Sequence, residues 1–182
     1  MSDATVSLRP LVMRDVPRLV EICNQMQVAR YLAHMPHPFK RSHAKRFVTF
    51  GMENPGLVFG IVLDKFLVGA LQMRDQLEYF LDPKFWRKGV ATCAVGQAID
   101  LLFENTCQQQ ITSGYFVQNK ASGRILAKLG FVDGPQRMVC ARHLPIAIHQ
   151  AMMLKRTDWL ARQCRYRRIN TDTQSKYIKE QP

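Results

Sequence analysis

The sequence predicts a mixed α+β fold, a mostly antiparallel sheet of about seven strands flanked by helices. Three stretches carry this prediction. Residues 76–82 alternate between two faces, as a half-buried strand does. Residues 90–103 repeat apolar side chains at helical spacing, and residues 111–117 are rich in β-branched and aromatic types. With 182 residues and 47% hydrophobic residues, the chain is long enough for one well-packed core.

The N-terminal part is expected to begin with a strand over residues 6–10. A helix follows, which Asp15 can cap and Pro17 can open. After a loop with two prolines, Ser42 is placed to cap a second helix.

Two strands, residues 57–63 and 66–73, are expected to pair as a hairpin. The residues between them are Asp64 and Lys65, which is not a favoured pair for a two-residue turn. The pairing is therefore predicted from the apolar runs rather than from the turn.

The C-terminal part contains a helix over residues 120–129. Gly130 follows it and suits a left-handed helix end. Strands over residues 137–143 and 150–155 would then complete the sheet.

The start of the helix near residue 90 is unusually basic. Lys84, Arg87 and Lys88 lie where the helix dipole is already positive, and no Ser, Thr, Asp or Asn caps the first amides. Such an end can bind a phosphate, although Gly89 could also serve only to ease a tight turn. Neither of the common glycine-rich phosphate motifs is present.

Three motifs occur in order: Trp86-Arg87-Lys88-Gly89-Val90-Ala91, Asn119-Lys120-Ala121-Ser122 and Lys128-Leu129-Gly130-Phe131. Together they resemble the GNAT superfamily of acyl-CoA-dependent N-acetyltransferases, and within it the branch that acetylates the N-termini of ribosomal proteins. The resemblance implies a sheet that splays open around acetyl-CoA and a direct transfer of the acetyl group to a primary amine.

The resemblance also implies which residues hold acetyl-CoA. Backbone amides of the loop and first helical turn would cradle the pyrophosphate: Arg87, Lys88, Gly89, Val90, Ala91 and Thr92. The strand at Phe80 and Leu81 would hydrogen-bond the pantetheine arm, and residues 111–117 would splay away from it. Asn119 would reach the pantetheine, cap the following helix, or do both.

Two residues are candidates for catalysis. By the resemblance, Ser122 would act as the acid for the departing CoA thiolate, or would only donate a hydrogen bond to the sulfur; it could also be an ordinary helix-start serine. Glu78 is the best candidate for the base, against the alternatives of a surface glutamate or a chain of waters. Residues 137–143 contain no carboxylate that could replace it.

The loop departs from the family pattern at two positions. Trp86 stands where the wider family has Arg or Gln, and Arg87 replaces a glycine common in the branch. If residue 87 needs a positive φ, an arginine there is strained.

Composition favours a protein of a reducing compartment, and we expect a cytoplasmic location. The five cysteines are scattered, and Cys93 is expected to be buried. No apolar run is long enough to span a bilayer, and the N-terminus lacks a signal-peptide layout. No metal site is expected: His34 and His37 lack a third ligand, and their loop is expected to line the acceptor groove instead. His143 and His149 are interpreted as surface or strand-end residues.

The chain carries a net charge of +12, and residues 160–182 contribute six basic and two acidic residues to it. We interpret residues 1–159 as the acetyltransferase domain and residues 160–182 as a basic, flexible tail. The positive charge argues against polycationic acceptors. The alternatives are a non-catalytic acyl-CoA sensor and a ribosome- or nucleic-acid-associated protein that uses the tail. The protein could be a monomer or a homodimer.

Overall fold

The computed structural model describes residues 5–32, 35–141 and 144–163, without the side chains of residues 140–146. The helices, including two short 3-10 turns, lie at Met13–Asp15 (3-10), Val16–Asn24 (α1), Met26–Ala29 (α2), Arg41–Glu53 (α3), Pro83–Phe85 (3-10), Val90–Asn105 (α4) and Lys120–Leu129 (α5). The strands are Val6–Arg9 (β1), Val58–Leu63 (β2), Phe66–Met73 (β3), Leu77–Leu81 (β4), Gln110–Phe116 (β5), Val132–Ala141 (β6) and Leu144–Lys155 (β7). Residues 156–163 are helical.

The seven strands form two antiparallel sheets. One has the order β1-β2-β3-β4, and the other has the order β5-β7-β6. The predicted mixed α+β architecture is therefore confirmed, and the strands that were expected at residues 137–143 and 150–155 are both longer than predicted.

The two sheets meet at β4 and β5, which touch at one end only. There the Ser113 hydroxyl donates to the Leu77 carbonyl at 2.8 Å. No ladder joins β4 to β5 in the described part of the chain, so the strands diverge beyond this contact. The predicted splay is confirmed, and it leaves a gap along the outer edge of β4.

The register of β4 decides which of its backbone groups face this gap. The Asp82 N–H donates to the Val68 carbonyl at 2.8 Å, and Asp82 continues the β3–β4 pairing in which Leu81 lies opposite Gly69. Because backbone groups alternate along an antiparallel ladder, those of Phe80 face β3, while those of Tyr79 and Leu81 face the gap. The backbone groups of Leu77 point the same way as those of Tyr79 and Leu81, and its carbonyl accepts the hydrogen bond from Ser113 of β5.

Apolar side chains pack on both faces of the first sheet. Leu77 and Leu81 belong to a cluster with α4, α5 and the second sheet. Phe80 belongs to a separate cluster with α1 and α3. The alternation predicted for residues 76–82 is thus confirmed, and β4 is buried on both sides.

Local backbone geometry agrees with two of the predicted turns. Asp64 and Lys65 have φ of 47° and 74°, so both central residues of the β2–β3 hairpin are left-handed, as in a type I′ turn. Gly130 has φ of 98° and ends α5, and the Phe131 N–H donates to the Leu126 carbonyl at 3.1 Å. This is the Schellman pattern.

Three details of the prediction are corrected. Asp15 does occupy the N-cap position of α1, but its carboxylate makes no capping hydrogen bond and accepts instead from Arg9 and from the Val12 N–H. Ser42 lies inside α3, whose N-cap is Lys40. Cys93 is exposed, since it lies on the solvent side of α4.

The predicted boundary at residues 159 and 160 lies inside the helix of residues 156–163. Trp159 is buried, and Arg162 donates to the Lys128 carbonyl at 2.7 Å. The described fold therefore continues to Gln163. The rest of the predicted tail, residues 164–182, lies outside the described residues.

Candidate active site

A cavity of about 1500 Å³ lies in the gap between β4 and β5. It is larger than the space that one drug-sized ligand usually fills, so it has room for two substrates. The predicted site residues that line it are Glu78, Phe80, Leu81, Arg87, Gly89, Val90, Ala91, Thr92, Asn119 and Ser122.

The loop before α4 has two left-handed residues. Arg87 has φ of 59° and Gly89 has φ of 78°. Gly89 is the N-cap of α4, so no side chain satisfies the first amides of the helix, and a Cβ added at Gly89 would meet no atom within 4 Å. Open space beside uncapped amides fits an anion such as a diphosphate.

Lys88 is the predicted site residue that does not line the cavity. Its ammonium lies 5.4 Å from the centre of the Phe85 ring, a cation–π contact within the loop. Arg87 is therefore the cation of this loop that faces the cavity.

The loop is fixed to the rest of the domain through Asp82. This carboxylate is fully buried, accepts from the Lys84 N–H at 3.1 Å, and forms an ion pair with Arg18 of α1. Burial opposes its ionisation, but the hydrogen bonds from Lys84 and Arg18 outweigh burial and hold the pKa of Asp82 below its usual value. The end of β4 is thus tied to α1 by a buried charge.

Trp86 contacts the edge of β4 that was expected to bind pantetheine. Its indole N–H donates to the Leu81 carbonyl at 2.9 Å. A carbonyl oxygen can accept two hydrogen bonds, so the Leu81 carbonyl can still accept one from a bound molecule. Phe80 lines the cavity, but its backbone groups face β3, so the structure does not support the expected backbone hydrogen bond from Phe80 to pantetheine.

Ser122 is held in the first turn of α5 by two contacts. Its N–H donates to the Asn119 side-chain oxygen at 3.3 Å, so the predicted cap of α5 is present. Its hydroxyl lies 2.8 Å from the Tyr79 hydroxyl. Burial raises the pKa of Tyr79 to about 12, although the bond to Ser122 opposes the shift, so this phenol stays protonated at neutral pH.

Glu78 lies on the opposite face of β4 from Tyr79. One carboxylate oxygen accepts from the Gln76 amide at 2.7 Å, and the other accepts from the Gln72 amide. Two amide donors fix the carboxylate in place and leave each oxygen a further lone pair for an amine or a water.

The wall of the cavity away from the loop is formed by α3, the segment after α2, and β7. Tyr31, Met35 and Phe50 line this end, and Arg74 lies 4.4 Å from the centre of the Phe50 ring. His149 is half-buried and lies inside β7, not at a strand end, where it lines the cavity and packs edge-on against Phe116. His34 and His143 lie outside the described residues.

The strand after Gly130-Phe131 does carry a carboxylate. It begins at Val132, five residues earlier than predicted, and so includes Asp133. Asp133 is exposed and does not line the cavity. Residues 137–143 hold no carboxylate, as stated from the sequence, but the strand's start was placed too late to include Asp133. Glu78 remains the candidate base in the cavity.

The described residues contain no group of three or more His, Cys, Asp or Glu residues arranged to hold a metal ion. Over the same residues, no helix combines the length and the apolar character needed to cross a membrane.

Residues 5–132 match the family described as "Acetyltransferase (GNAT) domain". The chain belongs to the GNAT acetyltransferase family. The family predicted from the three motifs is confirmed, and this GNAT protein is an N-acetyltransferase whose acetyl donor is acetyl-CoA. No curated protein sequence matches the chain significantly.

Solved structures of GNAT enzymes share this fold. A spermidine N-acetyltransferase from Vibrio cholerae, solved with CoA and spermine, is 15% identical, with a TM-score of 0.73 over 85% of this chain and 98% of that one. A ribosomal-protein-S5-alanine acetyltransferase from Vibrio fischeri is 21% identical, with a TM-score of 0.71 over 85% and 94%. RimJ from Mycobacterium smegmatis, solved with CoA-disulfide, is 19% identical, with a TM-score of 0.73 over 84% and 82%.

Sequence reasoning missed the groups that surround the two candidate catalytic residues of this GNAT domain. Tyr79 lies within the alternating residues 76–82 but was not singled out, and neither were Gln72 and Gln76. Gln72 lies opposite Glu78 in the β3–β4 ladder, so a correct prediction of that register would have pointed to it. No local pattern brings Tyr79 to Ser122.

Proposed function

We propose that this GNAT enzyme transfers the acetyl group of acetyl-CoA to the N-terminal amine of a peptide or protein, by direct attack in a ternary complex. One observation carries the proposal: a single cavity connects the uncapped start of α4 with both Glu78 and Ser122. A donor held at the helix end and an amine beside Glu78 would therefore share one space, with no need for a covalent acyl-enzyme.

The proposed reaction assigns one step to each residue. The neutral amine attacks the thioester carbonyl carbon, and its excess proton passes to Glu78 or to a water that Glu78 holds. The C–S bond then breaks and its electron pair stays on sulfur. The Ser122 hydroxyl donates to this sulfur as it leaves, which lowers the cost of the thiolate charge.

The charge of the cavity wall supports an acceptor that is neutral or acidic. Beyond the α4 loop, the lining residues include the cations Lys45, Arg46, Arg74 and Arg137, against the carboxylates Glu53 and Glu78. A polyamine would meet net repulsion there, whereas a peptide with one N-terminal amine and acidic side chains would not.

Calorimetry with acetyl-CoA, followed by an acetylation assay, tests the proposal. We expect saturable one-to-one binding in the micromolar range. Peptides with a free N-terminus and acidic second and third residues should then be acetylated faster than matched basic peptides, as read by mass spectrometry. The same peptides with a blocked N-terminus and one free lysine serve as controls, and spermidine represents the polyamines.

The assay can contradict the proposal in two ways. Acetylation of spermidine or of lysine alone would exclude an N-terminal acceptor. Binding of acetyl-CoA without turnover of any amine would favour a sensor. If turnover is found, Glu78→Gln and Ser122→Ala should each lower kcat by about 10- to 100-fold; unchanged turnover in both would assign the proton transfers to water.

A further inference from the structure

The Tyr79 side chain crosses the interior of the domain to reach the start of α5. Its hydroxyl lies 2.8 Å from the Ser122 hydroxyl and 3.5 Å from the Ser122 carbonyl oxygen. The ring packs against the cluster that joins α4 and α5 to the sheets. Tyr79 and Ser122 are 43 residues apart in the chain, and both line the cavity.

The direction of this hydrogen bond follows from the partners available. A serine hydroxyl has one proton and two lone pairs, and a phenol has one proton. If Tyr79 donates to Ser122, the serine proton is free to point into the cavity. If Ser122 donated instead, the Tyr79 proton would find in the described structure only the Ser122 carbonyl at 3.5 Å, which is a weak contact.

The geometry points to Tyr79 as a positioning residue of the acetyl transfer: by donating to the Ser122 oxygen, it turns the serine proton toward the departing CoA sulfur. This inference rests on the role proposed for Ser122. The resulting chain runs from the phenol through the serine to the thiolate, and each donor polarises the next. Tyr79 keeps its own proton throughout, because a buried phenolate is costly.

The pKa of the CoA thiol in the complex tests the inference without an acceptor. It is measured from the ultraviolet absorbance of the thiolate, as the difference between complexes with CoA and with desulfo-CoA. A hydrogen bond to the thiolate lowers this pKa, so Ser122→Ala should raise it by about one unit. Tyr79→Phe keeps the ring and its packing, and should raise the pKa by part of that shift.

A double variant separates positioning from a direct effect. In the Ser122→Ala background, Tyr79→Phe should add nothing, because the group through which it acts is absent. Tyr115→Phe is the comparison variant, because it removes a second phenol from the cavity wall, one that has no hydrogen bond to Ser122. A thiol pKa at the native value in this variant would show that the shift is specific to Tyr79.

Three results would overturn the inference. A native thiol pKa in Tyr79→Phe, with a raised one in Ser122→Ala, would leave the role of Ser122 standing and remove that of Tyr79. An equal shift from Tyr79→Phe in both backgrounds would mean that the phenol does not act through Ser122. No shift in Ser122→Ala would reject the proposed role of Ser122 and the inference with it.

Discussion

Arg18 and Asp82 form an ion pair that fastens α1 to the point where β4 passes into the α4 loop. The Asp82 carboxylate is fully buried, whereas the Arg18 side chain is 27% exposed and also reaches Glu21 on the surface. One guanidinium thus contacts one buried and one exposed carboxylate. The buried contact lies next to the end of β4 and the loop proposed to hold acetyl-CoA, and it ties that loop to α1.

Replacing the buried carboxylate should cost far more than replacing the exposed one. Asp82→Asn leaves Arg18 without its interior partner and should lower the free energy of unfolding by about 3 kcal/mol. Glu21→Gln is the matched control on the same guanidinium and should change it by less than about 0.5 kcal/mol. Urea unfolding measures both, and equal losses would mean that burial does not distinguish the two pairs.

Acid should weaken the fold through Asp15 and Asp82. The pKa of each is held below its usual value, because hydrogen bonds from Arg9 and Val12 to Asp15, and from Lys84 and Arg18 to Asp82, outweigh the effect of burial. A lowered native pKa contributes stability that is present above the unfolded pKa, about 3.9, and is lost as the pH falls through the native value.

This acid dependence can be followed by urea midpoints between about pH 7 and about pH 2.5, a range that spans the unfolded pKa of aspartate. The midpoint should be nearly constant down to about pH 5 and should then fall. In Asp82→Asn the urea midpoint should be lower than the native one at neutral pH, and it should fall less steeply as the pH is lowered. If the urea midpoint of the variant falls as steeply in acid as that of the native protein, Asp82 does not contribute to the acid dependence.

Gly89 should be needed for acetyl-CoA binding beyond its effect on stability. Gly89→Ala places a side chain at φ of 78° and should cost about 1 kcal/mol of stability, with no clash, because a Cβ meets nothing within 4 Å. Any change of the loop should also weaken acetyl-CoA binding, measured by calorimetry.

Gly56 offers a close control, since it has φ of 87°, equally open space around a Cβ, and a position outside the cavity wall. Gly56→Ala should cost the same stability and leave the affinity for acetyl-CoA unchanged. Similar affinities in the two variants would argue against a phosphate cradle at Gly89.

Two substitutions of Arg87 should separate charge from backbone strain. Its φ of 59° is unfavourable for an arginine by about 1–2 kcal/mol. Arg87→Gly should therefore unfold at equal or higher urea concentration than the native protein, whereas Arg87→Val should unfold at lower concentration, because a β-branched residue fits this region worst.

Both variants remove the same positive charge from the cavity. The loss of acetyl-CoA affinity that they share would report the charge, and the difference between them would report the loop geometry. If neither variant binds acetyl-CoA more weakly than the native protein, Arg87 does not contact the donor.

Local patterns were sufficient for most of the elements. The alternation in β4, the apolar spacing of α4, and the Gly130 ending of α5 each depend on residues close in sequence, and each was predicted. The error at Ser42 is local, because α3 begins two residues earlier than expected, where the Lys40 N–H donates to the His43 ring at 3.0 Å. The error at Asp15 has a tertiary cause. Asp15 can cap a helix, but its carboxylate is taken by Arg9 from β1, a partner that no local rule supplies.

The sequence by itself determined the family, the motifs proposed to hold acetyl-CoA, and the question that Arg87 raises about its backbone. The tertiary structure alone decided the answer, a left-handed Arg87, and it brought together pairs that lie far apart in the chain. Tyr79 and Ser122 are 43 residues apart, and Arg18 and Asp82 are 64 apart. The physical reason is that motifs and periodicity act over a few residues, whereas the partner of a buried polar group is chosen by the packing of whole elements.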